Sequence, residues 1–183
     1  IVSLAEQCLL NEYVYVQSKK EINHVNQLKN KIVNNKEINE LEMAILGCYI
    51  PLYTSKNITN KLLDYKSKNI LFNDLITMQI KEPLKEIKLV NSIKSFDKIF
   101  DSVSKKVREQ YEEHPYPRWR YTNKNLPSNF LFKLNNEIKP NKIEYSNKFV
   151  NPNVLIAGCG TGIHTTTAER YLNANILGVD LSL

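Results

Sequence analysis

Val154-Leu155-Ile156-Ala157-Gly158-Cys159-Gly160-Thr161-Gly162, followed downstream by Ile176-Leu177-Gly178-Val179-Asp180, is the part of the chain that decides the fold. Residues 154–157 are a short continuous apolar run, as expected of a strand buried on both faces. Gly158, Gly160 and Gly162 then place three of the chain's 5 glycines in one bend. Ile163 to about Leu172 reads as a helix, with Ala168 and Tyr171 or Leu172 available to pack on a sheet. Asn173-Ala174-Asn175 is a tight return, and 176–179 is a second buried strand ending at Asp180. Strand, helix and strand of these lengths make a parallel crossover unit, which is right-handed almost without exception. Residues 153–183 therefore read as the start of an α/β, Rossmann-type sheet.

Glycine permits backbone angles closed to other residues and lets a ligand approach the main chain with no Cβ in the way. A bend of this kind between strand and helix presents amide N–H groups to a polar ligand. Asp180 lies 22 positions after Gly158. That is near the spacing of about 20 at which a carboxylate on the second strand accepts hydrogen bonds from ribose hydroxyls. The spacing also separates ligands. A dinucleotide fingerprint, G-x-G-x-x-G, needs a last glycine where this sequence has Ile163, so a nicotinamide-dependent (NAD) oxidoreductase is the disfavoured alternative. No Gly-Lys-Ser/Thr follows, so a Walker loop is excluded. Cys159 reads as a small residue tolerated in a tight turn, not a nucleophile, because no base is identifiable. His164, in the first turn of the helix, is given no role.

The pattern V-L-I-A-G-C-G-T-G with I-L-G-V-D-L-S resembles the first and second motifs of class I S-adenosylmethionine-dependent methyltransferases. Upstream, Val107-Arg108-Glu109-Gln110-Tyr111-Glu112-Glu113-His114-Pro115-Tyr116-Pro117-Arg118-Trp119 is similar to bacterial methyltransferases fused behind tetratricopeptide repeats. Cys8 to Val14 and Glu82-Pro83-Leu84 also look like that family's helical linker, so the resemblance spans most of the chain. It implies methyl transfer from S-adenosyl-L-methionine to an unidentified acceptor. Gly158, Cys159, Gly160, Thr161 and Gly162 would line the methionine end of the cofactor, Asp180 would hold the ribose, and Tyr116 would belong to a cover over the pocket. Ile156 departs from the pattern, since many members carry an acidic residue two positions before the first glycine. No catalytic residue and no metal ligand is implied.

Working back toward the start, residues 1–113 carry helical periodicity. Leu4, Cys8 and Tyr13 begin it, and Ile22, Val25, Leu28 and Ile32 form a second stripe. Leu41, Ala44, Ile45 and Cys48 form a third, stopped by Pro51. Ile58, Leu62 and Leu63, then Leu71, Leu75, Ile76 and Ile80, continue to Glu82-Pro83, where proline punctuates the pattern. These stripes are expected to be core. Asp101 caps a further helix whose face is Val103, Val107 and Tyr111. No repeat of fixed period is present. Residues 114–152 read as linker and pocket cover: an extended, proline-bound 114–119, a linker over 120–126, a helix opened by Pro127 through Phe130, Leu131 and Leu134, then a loop with one short strand. Tyr116, Arg118 and Trp119 either stack on an adenine or anchor the linker to a domain surface.

Composition narrows the partners. The net charge is +6 and the sequence pI about 9.1, but the lysines are scattered among Asn, Ile and Glu, which favours solvated helix faces over a nucleic-acid surface. No apolar run approaches the ~20 residues that span a bilayer, and no signal peptide is evident, so a cytoplasmic protein is expected. Three separated cysteines, 8, 48 and 159, suggest neither a disulfide framework nor zinc. The chain opens on Ile1 inside a helical pattern and closes just past a strand, so a truncated enzyme, weakly stable and with little activity alone, is expected. A helical protein-interaction module with a vestigial nucleotide fold is the second alternative.

Overall fold

Ser, Asn and Asp side chains start five of the nine α-helices among the described residues. A free helix amide needs an acceptor, and a short polar side chain just before the first turn supplies one. Ser18 and Glu21 form a reciprocal capping box at the start of the 16-residue helix Lys19–Asn34 (α2), which follows Val2–Leu10 (α1). Asn39 accepts from the Glu42 amide at Glu40–Gly47 (α3). Asn69 accepts from the Leu71 amide at Ile70–Ile76 (α5), the intervening Lys56–Leu62 (α4) having no side-chain cap. Lys61, in the last turn of α4, donates to the carbonyls of Ile32 at 2.6 Å and Val33 at 3.0 Å, closing the C-terminal end of α2.

The computed structural model describes residues 1–96, 98–122 and 126–182; part of the expected linker over 120–126, and Leu183, lie outside the described residues. The chain forms two compact units, Ile1–Asp97 and Lys98–Leu183, so the helix Ser102–Glu113 (α7) groups with the strands. The architecture is mixed: mostly helix, with one two-stranded parallel sheet.

In the first unit, Met43, Leu46, Leu52, Ile58, Leu62, Phe72, Leu75, Ile76 and Ile80 are buried together with Ala5. Several stripe positions expected in the core are instead exposed: Leu4, Ile22, Leu41, Leu63 and Leu71. Ala5, Met43, Leu46 and Phe72 lie one or a few positions away and take the inner face, because packing selects one side of each short helix more narrowly than periodicity does.

Pro83 does not interrupt the helix. Residues 70–90 run continuously through α5, a π-helical segment Thr77–Lys81, and Glu82–Val90 (α6), with Pro83 in the first turn of α6. A proline ring clashes with the carbonyl four residues back, and a wider π turn is one way to relieve this. That turn carries Gln79, fully buried yet fully bonded: its Nε2 donates to Ala5 O at 2.9 Å and Gly47 O at 3.0 Å, and its Oε1 accepts from the Leu52 amide at 3.2 Å. One amide thus ties α1, α3 and the turn at 52–54 to the π segment. A Cβ on Gly47 would come within 3.3 Å of it.

In the second unit Asp101 caps α7 as expected, but Val103 and Tyr111 are exposed, and none of α7 is buried. The next helix, Phe130–Glu137 (α8), is opened by Asn129 and not by Pro127. Ser128 is held extended in a parallel bridge with Tyr171, donating to Arg170 O and accepting from the Leu172 amide, both at 2.9 Å, so a helix cannot begin there. Between α8 and residue 152 there is a single 3-10 turn, Asn147–Phe149, and no strand among the described residues. Phe130, Phe149 and Tyr171 form an aromatic cluster, with Phe130 4.9 Å from Tyr171 and 5.9 Å from Phe149 between ring centroids.

The strands Asn153–Ala157 (β1) and Asn175–Val179 (β2) pair in parallel, Asn153 opposite Asn175 through Ala157 opposite Val179, joined through the helix Ile163–Ala168 (α9). The helix stops at Ala168, short of the Leu172 that its periodicity implies. Thr165 Oγ1 donates to Gly162 O at 2.5 Å and Thr166 Oγ1 to Ile163 O at 2.7 Å, and such back-bonding by a run of threonines weakens a helix. The Ser128 bridge then takes the backbone at 170 and 172. Neither strand is buried on both faces: Val154, Ile156 and Gly178 face α9, while Leu155 and Leu177 on the other face are 64% and 54% exposed. Among the described residues no helix is long and apolar enough to cross a membrane.

Candidate functional site

The glycine bend lies at the C-terminal end of β1 and leads directly into α9, with Gly158, Gly160 and Gly162 at φ of +69°, +49° and +90°. All three angles are in the left-handed region, so here glycine is required by the backbone itself. At Gly158 and Gly160 a Cβ would meet nothing within 4 Å, so open space lies against the main chain. Gly178 in β2 is needed for another reason. A Cβ there would come within 3.1 Å of Cys159 Sγ and 3.3 Å of Thr165 Cγ2, so its absence lets the bend and α9 sit close against the sheet. Cys159 therefore packs toward β2.

Most amides of the bend are already committed. Gly158 and Cys159 both donate to Val179 O, at 2.8 and 3.2 Å, and Gly162 donates to Cys159 O at 2.9 Å. Gly160 donates to Asp180 Oδ2 at 2.8 Å. The amides of Thr161, Ile163 and His164 have no hydrogen-bond partner among the described residues. The donors available to a ligand thus come from residues between and after the glycines, and Ile163 and His164 have no signal in sequence because the donor is main chain.

Asp180 is brought to the bend as the spacing predicts, but it is not idle there. Its Oδ1 accepts from the Ser182 amide at 3.0 Å and from the Ser182 hydroxyl at 2.9 Å. Burial would raise its pKa, yet the hydrogen bonds from Ser182, Gly160 and the Leu181 amide outweigh it and hold the carboxyl below its ordinary value. A carboxylate offers about four lone-pair sites; the Ser182 amide and hydroxyl take both on Oδ1, and the Gly160 amide takes one on Oδ2. A diol can therefore engage both oxygens only by displacing a Ser182 donor from Oδ1.

Tyr116 is 75% exposed and makes none of the hydrogen bonds to the bend. Its neighbours do. The Trp119 indole Nε1–H donates to Thr161 O at 3.0 Å, and Thr161 Oγ1 donates to Pro117 O at 2.7 Å. Of the two roles open to Trp119, anchoring is the one made by an observed hydrogen bond. A shallow depression of about 270 Å³ lies between Asn153–Leu155 and Asn175–Leu177, at the starts of the strands and away from the bend, so it is no part of this site. No cluster of three or more His, Cys, Asp or Glu suited to a metal ion occurs among the described residues. No family model matches the chain, and no curated protein or solved structure matches it either.

Proposed function

We propose that residues 153–182 are the adenosyl-binding part of a Rossmann-type methyltransferase domain that uses S-adenosyl-L-methionine. The observation that carries this reading is the meeting of Asp180 with the glycine bend at a strand-to-helix junction, Gly160 N to Asp180 Oδ2 at 2.8 Å. Open space beside Gly158 and Gly160 supports it, because a ligand can reach the main chain there. When bound, the cofactor would supply an activated methyl group on its sulfonium.

The chain's own residues bind and orient. Asp180, ionised over the physiological range, takes the ribose hydroxyls in place of Ser182. The free amides of Thr161, Ile163 and His164 take carboxylate or hydroxyl oxygens of the ligand. Ile156 provides no charge for an ammonium group, so that contact comes from another residue. Fixing one reactant in line accounts for much of the acceleration in a transfer of this kind. The methyl acceptor is not identified by any residue described.

Calorimetric titration with S-adenosylhomocysteine is the test, with NAD as the competitor. Saturable binding to the adenosyl ligand, weakened about tenfold or more by Asp180→Ala through loss of charge-assisted bonds of about 1.5–3 kcal/mol, is expected. Preference for NAD, or no binding by the whole protein, overturns the reading.

A further inference from the structure

We propose that Trp119 and Pro117 act as a clasp that positions the glycine bend for its ligand; the ligand part of this inference rests on the function proposed above. Thr161 sits between Gly160 at φ +49° and Gly162 at φ +90°, so it is flanked by the two residues least able to hold a fixed conformation. The other bend residues are tied within the β1–α9–β2 unit, to Val179, to Asp180 or to Cys159. Thr161 alone, among the described bend residues, is held from outside that unit, and by both its groups. Its carbonyl accepts from the Trp119 indole at 3.0 Å and its hydroxyl donates to Pro117 O at 2.7 Å, from a segment 42 to 44 residues earlier.

Two bonds at one residue fix its carbonyl direction and its side-chain rotamer together. They thereby restrict the backbone that aims the Thr161 and Ile163 amides, the donors left free for a ligand. An unclasped bend would have to be ordered at the moment of binding, which costs affinity without removing any contact to the ligand. Pro117 and Trp119 are thus positioning residues, and the proline-rich segment is a working part of the site although Tyr116 itself is exposed.

Trp119 is the single tryptophan of the chain, so its fluorescence reports on the clasp. In the full chain, Trp119→Phe keeps a ring and deletes the N–H, Thr161→Val deletes the hydroxyl at equal size, and Thr161→Ser restores it. Hydrogen exchange at the Gly160 and Gly162 amides is expected to rise about three- to tenfold in the Phe and Val variants, the equivalent of one neutral hydrogen bond. Strand amides of Leu155 and Leu177 are expected to stay unchanged, and the Ser variant to match the wild type. S-adenosylhomocysteine affinity is expected to fall by a similar factor in the same two variants and to recover with Ser, and Thr161→Val should red-shift the tryptophan emission.

Wild-type exchange at Gly160 and Gly162 in Trp119→Phe refutes the clasp, whatever Thr161→Val does. Faster exchange with unchanged ligand affinity refutes the positioning role. If the wild type binds no S-adenosylhomocysteine, the methyltransferase reading fails while the exchange comparison still decides whether the clasp exists.

Discussion

At Gly160 the φ is +49°, and open space around the missing Cβ means that sterics with neighbours play no part. Gly160→Ala is therefore expected to cost only the left-handed backbone strain, about 1–2 kcal/mol, read as a lower melting temperature of the second unit with an unchanged sheet. Asp180 gives a second prediction. Its folded pKa is depressed, so its contribution is present above the ordinary value of 3.8 and is lost as pH falls through the lower folded value. The Gly160 amide resonance should accordingly titrate with a midpoint below 3.8. A shift centred well above that value, close to neutrality, would mean that the carboxylate is not held as described. Asp180 and the glycines were legible in the sequence because spacing alone brings them together, whereas Trp119 reaches the bend from 42 residues earlier by a contact that no spacing encodes.

Among the elements, the π segment around Gln79 depends most on a single side chain. Gln79→Leu conserves volume but strands the Leu52 amide in a buried site, at about 1–3 kcal/mol, while the Ala5 carbonyl keeps its place in the α1 hydrogen-bond ladder. A loss of about 1–3 kcal/mol is expected in urea unfolding of the first unit, and a loss below about 1 kcal/mol would show that water or relaxation satisfies that amide. The same packing brings Cys8 and Cys48 together, α1 against α3. Burial, with Cys8 beside it, pushes the Cys48 thiol up to about 11. Since the thiolate is the reactive form, iodoacetamide labelling of Cys48 should be slow near neutrality and rise with a midpoint near 11. Nothing in the spacing of these two cysteines points to the pair. Likewise the sequence placed a break at Pro83 because proline is a reliable stop for an α-helix, and the π turn before it removes the reason.

Across the whole molecule the two units differ in what holds them. Among the described residues, every buried apolar side chain but Pro152 and Ala168 belongs to the first unit. The second unit relies on aromatic stacking, the Arg170–Glu137 ion pair at 2.7 Å and hydrogen bonds around the bend. Stability varies within a chain according to such burial. Native-state hydrogen exchange is therefore expected to show two classes: slow amides in α3 and α5, and strand amides of β1 and β2 exchanging at least about tenfold faster. Equal protection in both classes would mean that the exposed Leu155–Leu177 face is covered in solution.

Local chemistry in the sequence was enough for the helix cap at Asp101, the strand-bend-helix-strand order of 153–179, the left-handed glycines and the closeness of Asp180 to them, since each depends on residues near in the chain or on a fixed crossover length. Only the tertiary structure decided which side of each helix is buried, that Gln79 joins three segments, that Cys8 meets Cys48, and that Trp119 rather than Tyr116 holds the bend. Those outcomes depend on which surfaces meet, and a contact between residues tens of positions apart is settled by the packing of everything between them.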